Sequence, residues 1–426
     1  MSSYIVKGGT PLRGEVEISG AKNAVLPILA ATILGQGQST IDKAPDLRDV
    51  RVMKEVLEEL GAEVDDSKDG LKIDTSVIES CQIAPELMQK MRATVFLMGP
   101  LLARFGKVEL CQPGGCNIGS RPIDLHLKGL EALGVEFEEE EGCLTGTVDQ
   151  LEGTEITLDF PSVGATENIM MAATLAQGQT IINNVAKEPE IVDLQNFLNQ
   201  LGAKVKGAGT DVIKVNGVAS LNPVEYEIIP DRIEAGTFLL AAAITGGELT
   251  INNVIPKHIE AIIVKLTEAG HQIKVEDEKV KIKAAKTSKS INVKTLPYPG
   301  FPTDMQPQFM SLLALAQGQS IITETIFENR LNHAHELGKM GAEIKVNNNQ
   351  AVINGVESIN GAVVKATNLR AGAALLLAAL AAEGESIIKN IYHIERGYEY
   401  LEEKLTKLGA NLHKEKLEEA SYHAKR

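Results

Sequence analysis

Two kinds of hydrophobic segment alternate along the chain. One kind is an apolar helix pattern followed by a glycine and a β-prone run, as in "IMMAATLAQGQTIINNV" and "LLLAALAAEGESIIKNI". Because these segments are apolar on nearly every face, they predict helices that are buried all round. The other kind is amphipathic, as in "LRDVRVMKEVLEEL". Strands such as "EITLDF" alternate apolar and polar residues, which is typical of sheets with one wetted face.

A short phrase closes each amphipathic segment and recurs six times. It reads "LEELGAEV" at its first occurrence and "LTKLGANL" at its last, at intervals of about 70 residues. Leucines at helical spacing, a glycine and a β-prone run predict a helix that ends on a left-handed glycine. The six glycines are Gly61, Gly134, Gly202, Gly270, Gly341 and Gly409. The repetition predicts six βαβα-type units in two sets of three, with helices inside and sheets outside.

The length of the chain agrees with two domains. A chain of 426 residues exceeds what one hydrophobic core usually serves. The midpoint of the repetition lies near "SLNPVEYEIIPDRIEAG", where a new helix begins and Asp231 is predicted to cap it. The sequence therefore predicts two pseudo-symmetric α/β domains.

Charge and targeting signals narrow the possible partners. The formal charge is −15, which disfavours nucleic acid and anionic membranes, so an anionic ligand needs a local basic cluster. The N-terminus lacks the apolar core of a signal peptide, and no apolar run reaches the roughly 18 residues of a membrane span, so we expect a cytoplasmic protein. The four cysteines, without a C-x-x-C pair, are expected to be free thiols, and metal binding is not indicated.

Two segments are candidate anion sites. In "LCQPGGCNIGSRPIDLH", Cys116 lies in a glycine-rich loop five residues before Arg121, where backbone amides and a guanidinium could lower the thiol pKa and gather an anion. A buried, inert cysteine is the alternative, which the surrounding glycines and polar residues disfavour. In "SGAKNAVLPILAA", Lys22 and Asn23 stand at the start of the first apolar helix. A solvated lysine is the alternative there, and the local sequence leaves both open.

Three other features are assigned no chemistry. The run "EFEEEEG" is expected to be a solvated strand rather than a cation site. His333 and His335 are two residues apart, which is the wrong spacing for a metal pair on one helix face. The basic segment "KVKIKAAKTSKS" is expected to form a solvated edge strand.

Eight motifs together resemble a known family. They are "SGAKNAVLP", "PGGCNIGSRPIDLH", "PSVGATEN", "PDRIEAGTF", "FPTDMQPQF", "IFENR", "NLRAGAAL" and "YHIERGYE". In this order they resemble UDP-N-acetylglucosamine 1-carboxyvinyltransferases, of the enolpyruvyl transferase family. The resemblance implies a two-domain inside-out α/β barrel with three copies of one unit per domain. It also implies a domain of residues 22–229, and a second of residues 1–21 and 230–426.

The resemblance implies an activity as well. Members of this family transfer the enolpyruvyl group of phosphoenolpyruvate to the 3-hydroxyl of UDP-N-acetylglucosamine and release phosphate, the first committed step of peptidoglycan synthesis. No metal or organic cofactor and no required protein partner is implied. The expected partners are therefore the two small substrates, with neither nucleic acid nor membrane.

Individual residues take roles by the same resemblance. Asp304 matches the carboxylate that accepts the proton of the sugar hydroxyl. Cys116 matches the thiol over the enolpyruvyl carbon, the target of fosfomycin; proton donation and help in product release both stay open for it. Lys22, Arg121, Arg370 and Arg396 match positions that bind phosphate and carboxylate. The expected contacts to the nucleotide sugar are Asn23, Arg92, Arg121, Pro122, Ile123, Asp124, Leu125, Ser162, Val163, Gly164, Asp304 and Ile326.

Two departures from the family pattern leave alternatives open. Asn368 stands where the resemblance implies an aspartate beside the active-site arginine, and Phe160 stands where some members have a lysine. An asparagine cannot accept a proton or neutralise Arg370. One alternative is thus a slow or non-catalytic paralogue that binds the nucleotide sugar and regulates the pathway. A transferase acting on shikimate 3-phosphate is a further alternative, which rests on the shared fold and resembles the chain less.

Overall fold

The computed structural model describes residues 2–67, 70–111, 123–140 and 142–416. These residues divide into two compact units. Unit 1 has residues 2–19 and 230–416, and unit 2 has residues 20–67, 70–111, 123–140 and 142–229.

Short strands and helices alternate through both units. The strands are β1 Ser2–Lys7, β2 Arg13–Glu17, β3 Gln38–Asp42, β4 Glu63–Ser67, β5 Gly70–Asp74, β6 Lys107–Cys111, β7 Glu136–Glu140, β8 Cys143–Thr147, β9 Glu155–Thr157, β10 Gln179–Asn183, β11 Lys204–Lys206, β12 Val212–Asn216, β13 Glu225–Glu227, β14 Glu248–Asn252, β15 Gln272–Glu276, β16 Lys279–Lys283, β17 Val293–Lys294, β18 Gln319–Thr323, β19 Glu343–Asn347, β20 Gln350–Asn354, β21 Val363–Lys365, β22 Glu385–Lys389 and β23 Asn411–Lys416.

The helices follow the predicted alternation of apolar and amphipathic segments. The α-helices are α1 Lys22–Ala31, α2 Arg48–Glu59, α3 Pro85–Lys90, α4 Met98–Phe105, α5 Asp124–Ala132, α6 Val163–Ala173, α7 Pro189–Gln200, α8 Arg232–Thr245, α9 Glu260–Glu268, α10 Gln306–Leu313, α11 Ala334–Lys339, α12 Leu369–Ala381 and α13 Leu401–Lys407. The 3₁₀ helices are Thr32–Leu34, Arg92–Leu97, Pro256–Ile259, Thr303–Met305 and Ile391–Arg396.

Six sheets occur within the described residues, five with the same four-stranded topology and one, β6-β8-β7, with three strands. In unit 1 the strand orders are β21-β22-β1-β23, β15-β16-β14-β2 and β17-β18-β20-β19; in unit 2 they are β11-β12-β10-β9, β13-β3-β5-β4 and β6-β8-β7. In five of them, the strand after the apolar helix pairs with an antiparallel neighbour on one side and a short parallel strand on the other. Strand β1, from the N-terminus, completes the last sheet by pairing with β22 and β23. The predicted six-fold repetition is confirmed.

The apolar helices form the centre of each unit. In unit 1, α8, α10 and α12 contact one another, and every residue of α12 from Leu369 to Leu380 is buried. In unit 2, α4 packs on α6, whose residues from Ala165 to Ala173 are all buried. Each unit has its own hydrophobic core around these helices. The prediction of helices buried on all faces is therefore confirmed, and the sheets lie outside them.

The repeated glycines end their helices as predicted. All six have positive φ angles, from +96° at Gly341 to +107° at Gly61. An L-residue with a side chain rarely adopts this conformation, so glycine at each position lets the chain turn from helix to strand. Asp231 also caps α8 as predicted, because its carboxylate accepts hydrogen bonds from the amides of Ile233 and Glu234.

Two expectations were wrong. Cys111 and Cys143 form a disulfide rather than free thiols, because they are directly opposed on the antiparallel strands β6 and β8. The basic strand β16 is not an edge strand. It lies between β14 and β15 and alternates buried valine and isoleucine with exposed lysines, so its polarity reflects one wetted face.

Candidate active site

Several of the predicted site residues lie at the start of an apolar helix in their own unit. Lys22 is the first residue of α1, Val163 is the first of α6, and Arg370 is the second of α12. Asp304 lies in the 3₁₀ helix that leads into α10. The first turn of a helix has unpaired amide N–H groups and a partial positive charge, which favour anions. The N-terminal ends of these central helices therefore all favour negatively charged groups.

Asp304 is held between two arginines in unit 1. Its Oδ1 atom accepts a hydrogen bond of 2.6 Å from Nη2 of Arg330. Its Oδ2 atom accepts two from Arg370, at 2.9 Å from Nη2 and 3.1 Å from Nε. The arginine side chains are only 4% and 3% exposed, whereas the Asp304 side chain is 27% exposed. The carboxylate is therefore the accessible member of a largely buried trio.

This trio has more positive than negative charge. Two guanidinium groups share one carboxylate, and neither Nε of Arg330 nor Nη1 of Arg370 has a hydrogen-bond partner among the described residues. Asp231 and Arg232, at the start of α8, add one charge of each sign to the surroundings. Buried, unpartnered donors with an excess positive charge favour a ligand with anionic oxygens. This is the local basic cluster that an acidic protein needs to bind an anion.

The same contacts control the ionisation of Asp304. Its partial burial raises the carboxyl pKa, but the charges of Arg370 and then Arg330 outweigh burial and hold the pKa well below its ordinary range. Burial lowers the pKa of Arg370, but the carboxylate of Asp304 more than offsets this and raises it. Asp304 is therefore ionised at neutral pH and can accept a proton.

Glu324 fixes the segments on either side of this cluster. Its buried carboxylate accepts hydrogen bonds from the hydroxyl of Thr303 at 2.9 Å and from the amide of Ile326 at 2.8 Å. Thr303 directly precedes Asp304, and Ile326 is a predicted sugar contact. One acidic side chain therefore holds both predicted site segments of this part of unit 1.

In unit 2, Lys22 has a carboxylate partner. Its Nζ atom lies 2.7 Å from Oδ2 of Asp49, and both side chains are largely buried. The neighbouring Asn23 is exposed. A lysine with a buried ion pair is held in place, which supports the reading of a fixed site residue over that of a solvated lysine.

One buried junction brings the predicted sugar-binding segments of unit 2 together. The amide of Asn168 receives a hydrogen bond from the backbone of Gly99 and donates to the carbonyl of Val95 and to Nδ1 of His126. The His126 ring in turn lies against Gly164, where a Cβ atom would come within 2.9 Å of it. The junction therefore links the helix that begins at Arg92, the start of α5 and the start of α6.

The remaining predicted residues are described by their burial and by their place in a helix. Ile123 and Leu125 are half-buried and Asp124 is exposed at the start of α5, while Ser162 caps α6 by accepting a hydrogen bond from Ala165. Arg396 ends the 3₁₀ helix Ile391–Arg396 and is partly exposed, and Phe160 is 46% exposed. The predictions for Cys116, Arg121 and Pro122 fall outside the described residues.

Comparison with known proteins decides the family. The family model described as EPSP synthase (3-phosphoshikimate 1-carboxyvinyltransferase) matches residues 6–405. A UDP-N-acetylglucosamine 1-carboxyvinyltransferase 1 from Symbiobacterium thermophilum is 56% identical over 415 residues, or 96% of this chain and 94% of that protein. One from Caldanaerobacter subterraneus subsp. tengcongensis is 52% identical and covers 97% of this chain and 99% of its own length. The chain belongs to the enolpyruvyl transferase family. The resemblance stated from the motifs is confirmed.

Solved structures agree with this family. The enolpyruvyl transferase NikO from Streptomyces tendae matches with a TM-score of 0.88 and 26% identity, over 98% of this chain and 99% of that one. EPSP synthase from Acinetobacter baumannii matches with a TM-score of 0.77 at 19% identity, over 98% of this chain and all of that one, which shows a shared fold. The predicted two-domain α/β architecture of the enolpyruvyl transferases is confirmed.

Two kinds of feature are absent from the described ranges. No helix there has the length and apolar character to cross a membrane. No group of three or more His, Cys, Asp or Glu side chains there could hold a metal ion.

This enolpyruvyl transferase also has site residues that sequence reasoning missed. Arg330 was not assigned, although it ends the quoted motif "IFENR", and Glu324 precedes that motif by two residues. Arg330 contacts Asp304, 26 residues away, and Glu324 joins Ile326 to Thr303, 21 residues away, so no local pattern points to them. The motif that contains Arg330 was the available signal.

Asn368, which replaces the aspartate of the family pattern, still caps the N-terminus of α12. Its Oδ1 atom accepts a hydrogen bond from the amide of Ala371, as an aspartate at this position could. We expect Asn368→Ala to lower the free energy of unfolding by about 1 kcal/mol. Asn368→Asp is expected to be at least as stable as the wild type, because a carboxylate interacts favourably with the helix N-terminus. Urea unfolding of the three proteins measures this; equal stability of Asn368→Ala and the wild type would contradict it.

Proposed function

We propose that the chain transfers the enolpyruvyl group of phosphoenolpyruvate to the 3-hydroxyl of UDP-N-acetylglucosamine and releases phosphate. The observation that carries the proposal is the carboxylate of Asp304, held between Arg330 and Arg370 with unpartnered guanidinium donors beside it. A proton acceptor adjacent to an anion site is what this transfer requires. The names of relatives that are more than half identical support the choice of acceptor sugar.

The proposed chemistry has two balanced stages. In the first, Asp304 accepts the proton of the sugar 3-hydroxyl while that oxygen bonds to C2 of phosphoenolpyruvate, and the methylene carbon takes a proton from a second group, an acid of the site or water, to give a methyl group. In the second, the C2–O bond to phosphate breaks and inorganic phosphate leaves, while a methyl proton returns to the group that supplied it, so that the double bond forms again. Cys116 is proposed to lie beside the carbon that is protonated.

Binding of phosphoenolpyruvate would raise the pKa of Asp304. Phosphoenolpyruvate carries a phosphate and a carboxylate, and its binding at Arg370 would offset the positive charge that holds the pKa of Asp304 low. Asp304 would thus become more basic when both substrates are present. Lys22, Arg121 and Arg396 are proposed to bind the same anion, with Lys22 and Arg396 taking part in the chemical step.

The remaining assignments follow the family. The nucleotide sugar is proposed to contact Asn23, Arg92, residues 121–125, Ser162, Val163, Gly164, Asp304 and Ile326. Residues 22–229 are proposed to act as one domain, and residues 1–21 with 230–426 as the other. The reaction is proposed to take place in the cytoplasm, to start peptidoglycan synthesis, and to be sensitive to fosfomycin.

Phosphate release tests the proposal. Purified protein is incubated with phosphoenolpyruvate and either UDP-N-acetylglucosamine or shikimate 3-phosphate. Release with the nucleotide sugar alone is the expected result. Release with shikimate 3-phosphate alone would identify the wrong acceptor, and binding of the nucleotide sugar without any release would indicate a binding protein.

A further inference from the structure

Tyr398 lies behind the arginine of the Asp304 cluster. It is only 4% exposed, and it follows Arg396 by two residues at the end of the 3₁₀ helix Ile391–Arg396. The guanidinium carbon of Arg370 lies over the Tyr398 ring, 5.5 Å from its centroid. The negative face of an aromatic ring attracts a cation at this distance, and more so where water is excluded. The ring is therefore a second support for Arg370, in addition to Asp304.

The hydroxyl of Tyr398 is fixed from two helices. Thr237 of α8 donates its own hydroxyl proton to the carbonyl of Ile233 at 2.8 Å, so its oxygen is free to accept from Tyr398 at 3.0 Å. Gln308 of α10 donates from Nε2 to the Tyr398 oxygen at 3.2 Å and to the Thr237 oxygen at 3.3 Å. With the Thr237 proton given to Ile233, Thr237 is an acceptor for the proton of the Tyr398 hydroxyl. The ring cannot tilt without breaking two buried hydrogen bonds.

The orientation of Arg370 decides which of its donors faces a ligand. Nε and Nη2 both bind Asp304, and the Tyr398 hydroxyl is a further hydrogen-bond acceptor for this guanidinium group. Nη1 makes no hydrogen bond of ordinary geometry within the described part of the chain. A guanidinium group is planar, so an edge held by the carboxylate and a face held by the ring determine the direction of the third nitrogen. Loss of the ring would leave Arg370 attached by one edge only.

We propose that Tyr398 is a positioning residue of the phosphoenolpyruvate site: its hydroxyl, held by Thr237 and Gln308, fixes the ring under Arg370 so that Nη1 is presented to the anion. This inference rests on the proposed function. Tyr398 touches neither substrate in this account and acts through Arg370. Its loss should therefore weaken phosphoenolpyruvate binding while leaving the affinity for the nucleotide sugar nearly unchanged.

Graded variants separate the ring from the hydroxyl. Tyr398→Phe keeps the ring, and we expect it to raise the KM for phosphoenolpyruvate about threefold. Tyr398→Leu removes the ring as well, and we expect a rise of about tenfold. Thr237→Val removes the oxygen that accepts the hydrogen bond of the Tyr398 hydroxyl. We therefore expect it to raise the KM for phosphoenolpyruvate by the same factor as Tyr398→Phe. In all three, the KM for UDP-N-acetylglucosamine should stay at the wild-type value.

A matched control has the same chemical change in unit 2. Tyr226 also has a hydrogen-bonded, partly buried hydroxyl, which donates to the carboxylate of Asp193 at 2.6 Å. Tyr226→Phe should lower the melting temperature without changing the KM for phosphoenolpyruvate. A merely structural role of Tyr398 would give both tyrosine variants the same kinetic profile.

Calorimetry keeps this test independent of turnover. The dissociation constant of phosphoenolpyruvate is measured for each protein with saturating UDP-N-acetylglucosamine, and it should rise in the same order as the KM. Wild-type protein that binds both substrates but releases no phosphate would contradict the proposed function alone. Equal affinity for phosphoenolpyruvate in the wild type, Thr237→Val and both Tyr398 variants would contradict the positioning role alone. Absence of phosphoenolpyruvate binding by the wild type would contradict both.

Discussion

Replacing Asp304 with asparagine is expected to lower the rate of phosphate release by about 10²–10⁴-fold, the usual contribution of a positioned general base. The amide has nearly the same shape but cannot take the proton of the sugar hydroxyl. It also removes the negative charge that Arg330 and Arg370 share. Inorganic phosphate should therefore bind Asp304→Asn more tightly than the wild type, even though turnover is lost.

The opposite directions of these two effects separate a chemical role from misfolding. A misfolded variant would lose both phosphate binding and turnover. Asp277→Asn is the matched control, because Asp277 is an exposed residue of the same unit, between β15 and β16. If Asp304→Asn had the turnover of the wild type, Asp304 would not be the general base. If its affinity for phosphate were unchanged, the negative charge of Asp304 would not oppose anion binding.

Replacing Glu167 with glutamine is expected to stabilise the protein increasingly as the pH rises. Glu167 lies in α6 and is fully buried, and neither of its carboxyl oxygens has a hydrogen-bond partner among the described residues. Burial first, and then the charges of Glu190 and Glu188, raise the pKa of Glu167 well above its ordinary value of 4.5. The folded protein therefore holds a proton that the unfolded chain releases.

The sign of the pH effect follows from this difference in bound protons. Between pH 4.5 and the raised pKa, the folded state binds one proton more than the unfolded state at this site. The free energy of unfolding of the wild type therefore falls by about 1.4 kcal/mol per pH unit from this group. Glutamine has the shape of the neutral acid and does not titrate, so Glu167→Gln should not have this component.

Urea unfolding at about pH 6 and about pH 8 measures the difference between the two proteins. The stability advantage of Glu167→Gln should grow between these values. Glu86→Gln, an exposed change in α3 of the same unit, should show no such growth. A constant difference between Glu167→Gln and the wild type over this range would mean that Glu167 has the same protonation in the folded and the unfolded protein, and would contradict the prediction.

Local features of the fold were predictable because short stretches of sequence decide them. The helix ends at Gly61 and Gly409 depend on one residue that accepts a left-handed conformation, and the cap at Asp231 depends on its own side chain. The buried helices α6 and α12 were recognisable because their apolar residues leave no polar face. Repetition of these local signals also indicated six units.

Features that depend on pairing between distant segments were not predictable. The Cys111–Cys143 disulfide requires the register of β6 against β8, across 32 residues. The position of β16 between two other strands depends on the strand order of its sheet, which the local sequence does not indicate. For the same reason Asp304 was identified by its motif, whereas Arg330, which is 26 residues away and holds its Oδ1 atom, was not. The support that Tyr398 gives to Arg370 also appears only in three dimensions.

The structure of the product tests the central claim most directly. Phosphoenolpyruvate labelled with carbon-13 at C2 is incubated with UDP-N-acetylglucosamine and the protein, and the product is analysed by carbon–proton correlation NMR. The account predicts a through-bond correlation between the labelled carbon and the proton on C3 of the sugar, which marks an enolpyruvyl ether at O3. Labelled pyruvate with unmodified UDP-N-acetylglucosamine would contradict the account, because it would show hydrolysis without transfer.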